Sequence, residues 1–149
     1  NSKTIFIFGN GGSASDSQHI AGEFVSKFLT KNRKAYPAIS LASNQSIITS
    51  IANDYDYSLI FERQIDSLCK NGDTLVGLST SGKSENVLKA LKLGKKKGLK
   101  TILLTGKNCK NHNFVDLIVK TPASRVDKIQ ELHLFILHHV CEIIEKKKP

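Results

Sequence analysis

His19 and Glu23 stand four residues apart in the stretch SASDSQHIAGEF, Ser13 to Phe24. On a helix, four steps turn about 400°, so the two side chains share one face, roughly 6 Å apart along the axis. An imidazole and a carboxylate at that spacing suit a divalent metal, or a carboxylate base with a partner for proton transfer. The same spacing also describes an ordinary exposed pair on a helix surface; chemistry is favoured because this pair follows a ligand-type loop. A second group lies near the C-terminus in DKIQELHLFILHH, which contains Asp127, Gln130, Glu131, His133, His138 and His139. Helical phase puts Gln130, Leu134, Leu137, His138 and Cys141 on one mostly buried side, where a Gln and a His need partners. On pattern alone, a single His there also reads as a satisfied core residue. His133 and His139 read as surface or packing residues. His112, in the polar loop from Lys107 to Asn113, reads as solvated.

Two loops could present a ligand to these groups. GNGGSAS, Gly9 to Ser15, has three glycines that let backbone amides approach a ligand at a helix start. A dinucleotide fingerprint would need G-x-G-x-x-G, and here Gly9, Gly11 and Gly12 are followed by Ser13 and Ala14. GLSTSGKS, Gly77 to Ser84, matches the G-x-x-x-x-G-K-S of a nucleotide phosphate loop. Against that reading, Gly77 falls inside an apolar run with Leu75, Val76 and Leu78. No strand ends in the Asp that would hold magnesium. Ser79, Thr80, Ser81 and Ser84, with backbone amides opening a helix, instead suit the phosphate of a sugar. A plain serine-rich helix cap is the bland alternative.

These residues need a scaffold, and the chain alternates. Short apolar runs read as strands at Lys3–Gly9, Pro37–Leu41, Asp73–Ser79, Lys100–Thr105 and Val115–Lys120. Helical spacing falls at Ser13 to about Leu29, Gln45–Ala52, Ser58–Leu68, Glu85–Lys97 and Arg125 to about Glu145. Apolar strands alternating with helices predict an α/β fold, a three-layer αβα sandwich with a five-stranded parallel sheet. Ligands of such sheets sit beyond the carboxyl ends of the strands, at a switch in strand order. That points to the residues after the first and third strands. The 149 residues suit one domain.

The formal charge of +9 raises nucleic acid as a partner. However, Lys95–Lys97 and Lys146–Lys148 sit at predicted helix ends, where cations complement the helix dipole, and no RNA-type aromatic signature accompanies them. Neither nucleic acid nor membrane is therefore expected as a partner, since no apolar run is long enough to span a bilayer. Cys69, Cys109 and Cys141 form no C-x-x-C pair and read as reduced thiols. The chain opens at Asn1 and contains no Met, so a longer natural N-terminus is expected.

Taken together, GNGGSAS-x3-H-x3-E, Asn53-Asp54, STSGKS and D-x-I-Q-E-x-H-x4-H resemble phosphoheptose isomerase, a branch of the sugar isomerase (SIS) domain superfamily. The resemblance runs over essentially the whole chain, in order and with matching spacing. It implies conversion of sedoheptulose 7-phosphate to D-glycero-D-manno-heptose 7-phosphate, the first step towards nucleotide-activated heptose for lipopolysaccharide, capsule or another glycan, in a bacterial cytoplasm. It implies that Asn10, Gly11 and Gly12 line the substrate, that Asn53 and Asp54 contact its hydroxyls, and that Ser79, Thr80, Ser81 and Ser84 hold the phosphate. Glu23 would be the base and His138 the second acid–base group. His19, Glu23, Gln130 and His138 match the family's zinc ligands, one zinc per subunit; Glu23 and Gln130 also meet the substrate. Asp127 matches an acidic residue beside the site. Lys83 has no required role in the family. Relatives carry a further helical segment before the first strand, and often extra glycines where this chain has GKNCKN.

Gln130 and His138 are eight residues apart, about 12 Å along a straight helix, too far for one ion with ligand bonds of about 2 Å. Either the helix starts after Gln130, or the two come from different subunits of an obligate oligomer, expected to be a homotetramer. The alternative functions are a non-catalytic SIS-domain phosphosugar sensor or replication-initiation regulator, which needs no acid–base pair, and an isomerase for another phosphosugar, which the H-x3-E and Q-x7-H set disfavours.

Overall fold

A computed structural model describes residues 3–147. Strands β1 (Ile5–Gly9), β2 (Ala38–Ser40), β3 (Thr74–Ser79), β4 (Lys100–Gly106) and β5 (Leu117–Thr121) form one sheet in the order β2-β1-β3-β4-β5. Every pairing is parallel. The connections are helices α1 (Gly12–Val25), α2 (Gln45–Asp54), α3 (Glu62–Leu68), α4 (Glu85–Lys96) and α5 (Val126–Lys146), with a 3-10 turn at Tyr57–Leu59. Successive strand residues point to opposite faces. Phe6, Phe8, Leu75 and Leu103 pack with Ile51, Ile60, Ile65, Val87 and Leu91, under α2, the 3-10 turn, α3 and α4. Ile7, Val76, Leu78 and Leu104 pack with Ile20 and Phe24 of α1 and Leu137 and Cys141 of α5. The three-layer sandwich expected from the alternation is therefore present.

Several boundaries differ from expectation, three of them for a clear local reason. Helix α1 ends at Val25 rather than near Leu29. The Arg33 guanidinium takes the carbonyls of Glu23 and Phe24, and the Glu145 carboxylate takes the N–H groups of Phe28, Leu29 and Thr30 at 2.7, 2.9 and 3.0 Å. The chain is thus drawn away from the helix axis. The stretch Ser58–Leu68 splits, because Asp56 accepts the Ser58 N–H at 2.7 Å and caps a 3-10 turn, and α3 starts only at Glu62. Strand β5 begins at Leu117 rather than Val115; before it, the Asp116 carboxylate binds the N–H and hydroxyl of Thr101, both at 3.0 Å.

Lys95 and Lys96 occupy the last turn of α4, and Lys146 that of α5, as the dipole argument requires; Lys148 lies outside the described residues. The three cysteines are free and buried. Burial pushes the thiol of Cys69 up to about 12 and that of Cys141 up to about 11.

Glu145 ties the end of α5 to the loop after α1, through those three N–H groups and an ion pair with the buried Arg33. Burial alone would raise its carboxyl, but Arg33 and the backbone N–H groups hold it down at about 2. A depressed carboxylate contributes stability above its ordinary value of 4.5 that is lost as pH falls towards 2. Glu145→Gln is expected to lower the urea midpoint at neutral pH, and the gap from the parent protein should close on acidification through that window. A gap independent of pH would show that the carboxylate charge plays no part.

Candidate active site

Strand β1 pairs with β2 on one side and β3 on the other, so the chain reverses its direction of sheet growth between them. The loops leaving their carboxyl ends diverge there and open a crevice. One loop is Asn10–Gly12 and the other Thr80–Ser84. They are linked by a reciprocal amide pair: Asn10 Nδ2 donates to Asn86 Oδ1 at 2.9 Å, and Asn86 Nδ2 donates to Asn10 Oδ1 at 2.8 Å. The Tyr57 hydroxyl also donates to Asn10 Oδ1, at 3.0 Å. Sequence reasoning missed Asn86 and Tyr57; the signal for Asn86 was its place in the first helical turn after the serine loop.

In the serine loop, Ser79 and Ser84 share a hydroxyl–hydroxyl bond of 2.8 Å, and Ser81 Oγ accepts the Lys83 N–H at 3.1 Å. Ser84 is the N-cap residue of α4, yet its side chain makes no capping bond. The Ser84 N–H instead donates to Ser79 Oγ at 3.4 Å. Gly77 lies within β3. A Cβ there would stand 2.8 Å from Val87 Cγ1 and 3.1 Å from Leu91 Cδ1, so this glycine lets α4 pack against the sheet. It belongs to no nucleotide loop.

Helices α1 and α5 bring His19, Glu23 and His138 together. His19 Nε2 is 3.2 Å from Glu23 Oε1, and His138 Nε2 is 3.5 Å from His19 Nε2. One donor atom from each of the three lies within 4.8 Å of the others. The His19 ring meets His138 edge-on, with centroids 5.0 Å apart, and Phe28 stacks on His138 at 5.3 Å and 17°. Two imidazoles and a carboxylate converging this closely form a donor set suited to a divalent transition metal.

Gln130 does not join them. Helix α5 begins at Val126, which removes the option of a helix starting after Gln130. Its side chain lies against the glycine loop, where a Cβ on Gly12 would come within 2.8 Å of Gln130 Oε1. Gln130 thus faces the start of α1, and His138, two turns on, faces His19 and Glu23. Asn53 and Asp54 close α2, exposed and bonded to each other at 2.8 Å. Asp127 is exposed in the first turn of α5 and pairs with Arg125 at 2.7 Å, which lowers its carboxyl.

Other residues emerge only in three dimensions. Asp16 lies one turn before His19, and its Oδ2 is buried without a hydrogen-bond partner. Burial raises its carboxyl, opposed by His19 and His138. Its i−3 spacing from His19 was the available signal. His133 is fully buried, and neither ring nitrogen has a hydrogen-bond partner; burial lowers its pKa, favouring the neutral ring. His112, expected to be solvated, is half-buried, with Nε2 3.2 Å from the Gly82 carbonyl oxygen.

A family model for the SIS domain matches residues 1–106. The chain is 51% identical to a phosphoheptose isomerase of Clostridium acetobutylicum, over 97% of this chain and 74% of that one. It is 50% identical to a phosphoheptose isomerase of Synechocystis, over 96% and 74%. The structure of phosphoheptose isomerase from Francisella tularensis superimposes with a TM-score of 0.89 at 30% identity, over 98% of this chain and 78% of that one. That from Neisseria gonorrhoeae gives 0.85 at 34% identity, over 96% and 76%. The chain belongs to the SIS domain family, and within it to the phosphoheptose isomerases.

Calorimetric titration with zinc is expected to give saturable binding that His19→Ala and His138→Ala each weaken by more than roughly 100-fold, since loss of even an outer-shell partner costs 10–100-fold. Equal affinity in the variants would remove the three-residue group as a metal site.

Proposed function

We propose that this chain interconverts sedoheptulose 7-phosphate and D-glycero-D-manno-heptose 7-phosphate through an enediolate, with Glu23 and His138 as the acid–base pair. What supports the reading most is the convergence of His19, Glu23 and His138 on adjacent helices in a chain half identical to named phosphoheptose isomerases. A sensor on this fold would need the serine loop but no such cluster.

The serine loop holds the phosphate end through Ser79, Thr80, Ser81 and Ser84, assisted by the N-terminus of α4. The Gly11–Gly12 backbone lines the sugar, while the Asn10 amide is committed to Asn86 and Tyr57 and so fixes the loop. Asn53, Asp54, Gln130 and Asp127 complete the substrate contacts. Glu23 removes a proton from C1 of the ketose, and the electron pair moves to the C2 oxygen. His138 protonates that oxygen and takes the proton from the C1 hydroxyl. Glu23 then returns its proton to C2, leaving the C1 aldehyde. A carboxylate serves for the carbon-bound proton, and an imidazole exchanges oxygen protons near neutral pH. A zinc ion, one per subunit, would supply Lewis-acid stabilisation of the oxyanion, held by His19, Glu23 and His138.

The helical separation of Gln130 and His138 supports a site completed across subunits, in a homotetramer. Exposed apolar residues of α5 support it too, with Phe135 71% exposed and Val126, Val140 and Ile143 also exposed; such side chains favour association. No described helix is long and apolar enough to cross a membrane. A phosphorylated sugar substrate and three unpaired thiols fit the cytoplasm, where the product would feed nucleotide-activated heptose for lipopolysaccharide or capsule.

Turnover of sedoheptulose 7-phosphate, followed by NMR, tests the reading. Glu23→Gln should abolish turnover and exchange of solvent deuterium into the sugar, with substrate affinity largely kept, and a chelator should suppress the parent activity. Normal turnover by Glu23→Gln would remove it as the base. Mixing is expected to separate a shared site from a single-chain one. Chains carrying Gln130→Ala and chains carrying His138→Ala, each inactive alone, should regain activity when reassembled together, because some sites then draw both native residues. No recovery in mixed oligomers would place the whole site in one chain.

A further inference from the structure

The loop Lys107–Asn113 is fastened to the serine loop. Gly82 has a φ of +65°, and a Cβ there would overlap the Cys109 side chain and stand 2.9 Å from Thr105 Oγ1. His112 Nε2 lies 3.2 Å from the Gly82 carbonyl oxygen. Cys109 N–H donates to Gly106 O at 3.3 Å, and Gly106 N–H donates to Thr80 O at 3.1 Å. The two loops therefore hold one fixed relation to each other. Between them lies a cavity of about 240 Å³ lined by Thr80, Ser81, Lys83, Lys107, Asn108 and Ser124, above Gly106 and Ile129. No Asp or Glu lines it, and both of its charged residues are lysines. Cations at a cleft with low-dielectric walls focus their field into it, and an anion there is attracted more strongly than at an open surface.

We propose that this cavity is the outer half of the phosphate site, in which Lys83 and Lys107 contact the oxygens of a phosphomonoester dianion whose inner side rests on the serines. The proposal builds on the serine loop as the phosphate cradle. Lys83 thereby has a role that owes nothing to nucleotides, because Gly77 is a strand residue packed against α4. Lys107 is the second cation, carried on a loop that Cys109 and His112 keep in place. The lysines would govern affinity for the phosphorylated end and not proton transfer, which belongs to Glu23 and His138.

The test is calorimetric binding of inorganic phosphate to the full chain at low and high salt, with steady-state kinetics on sedoheptulose 7-phosphate. Lys83→Asn and Lys107→Ser should each weaken phosphate roughly tenfold, as expected for loss of one charge-assisted hydrogen bond. The double variant should also show a flatter salt dependence, with KM raised and kcat nearly unchanged. Lys96→Asn, in the last turn of α4, should leave phosphate affinity as it was. Unchanged affinity in the double variant, or an equal loss in Lys96→Asn, would overturn the proposal, the latter by assigning the effect to overall charge. Ser81→Ala and Ser84→Ala separate the two readings. If they weaken phosphate while the lysine variants do not, the cradle stands and the lysine role falls. If none of the four matters, both fall.

Discussion

Helices α1 and α5 lie side by side on one face of the sheet, and Ile20, Phe24, Leu137 and Cys141 share one buried apolar cluster beneath them. Burial of each large aliphatic or aromatic side chain stabilises by about 1.5–3 kcal/mol, so losing one such side chain from this seam is large against a net stability of about 5–15 kcal/mol. The cluster of His19, Glu23 and His138 sits at the edge of the same seam. His19 and Glu23 are adjacent to Ile20 and Phe24 in sequence, and His138 follows Leu137. Sliding one helix along the other would part the His19 and His138 rings, whose centroids are 5.0 Å apart. The Glu145–Arg33 clamp opposes that slide at the far end, and the same loop carries Phe28 onto the face of His138.

The second functional half is built by topology. Parallel strands joined by right-handed crossovers place the ends of β1 and β3 together, and the sheet grows away from them in both directions. The glycine loop and the serine loop are the connections at that point. The Asn10–Asn86 amide pair ties them, so the substrate would meet a preformed crevice with little side-chain ordering left to do. Gln130, against Gly12, brings α5 to the same place. One long helix thus reaches both places, with Gln130 near its start and His138 two turns later.

Electrostatics follow the same division. The net charge of +9 comes from basic residues beyond those cancelled in surface pairs such as Lys128–Glu131 and Lys146–Glu142, pairs that contribute little to stability individually. The His19–Glu23–His138 cluster has a carboxylate with two imidazoles, and the cavity beside the serine loop has cations with no carboxylate. Each end of a phosphorylated sugar would therefore find its own chemistry: hydroxyls and cations for the phosphate, exchangeable protons for the carbonyl.

The sequence by itself determined the layered α/β architecture, because apolar runs of strand length separated by helical periodicity have few other ways to bury both faces of each strand. It also marked out candidate residues, since the H-x3-E spacing, the hydroxyl-rich loop and the glycine loop are local patterns. Only the tertiary structure decided which distant residues meet. Nothing in Asn86 or Phe28 as letters says that one completes an amide pair with Asn10 and the other covers His138; both depend on how helices from different crossovers are registered on the sheet. Helical phase put Gln130 and His138 on one side of α5, but their separate destinations required α1 alongside. His112 reads as solvent-exposed in a polar loop, yet becomes half-buried because Gly82, lacking a Cβ, lets that loop close against its own. Local pattern is written in short-range sterics and hydrogen bonding, whereas the meeting of side chains from opposite ends of the chain is set by packing, which no local stretch contains.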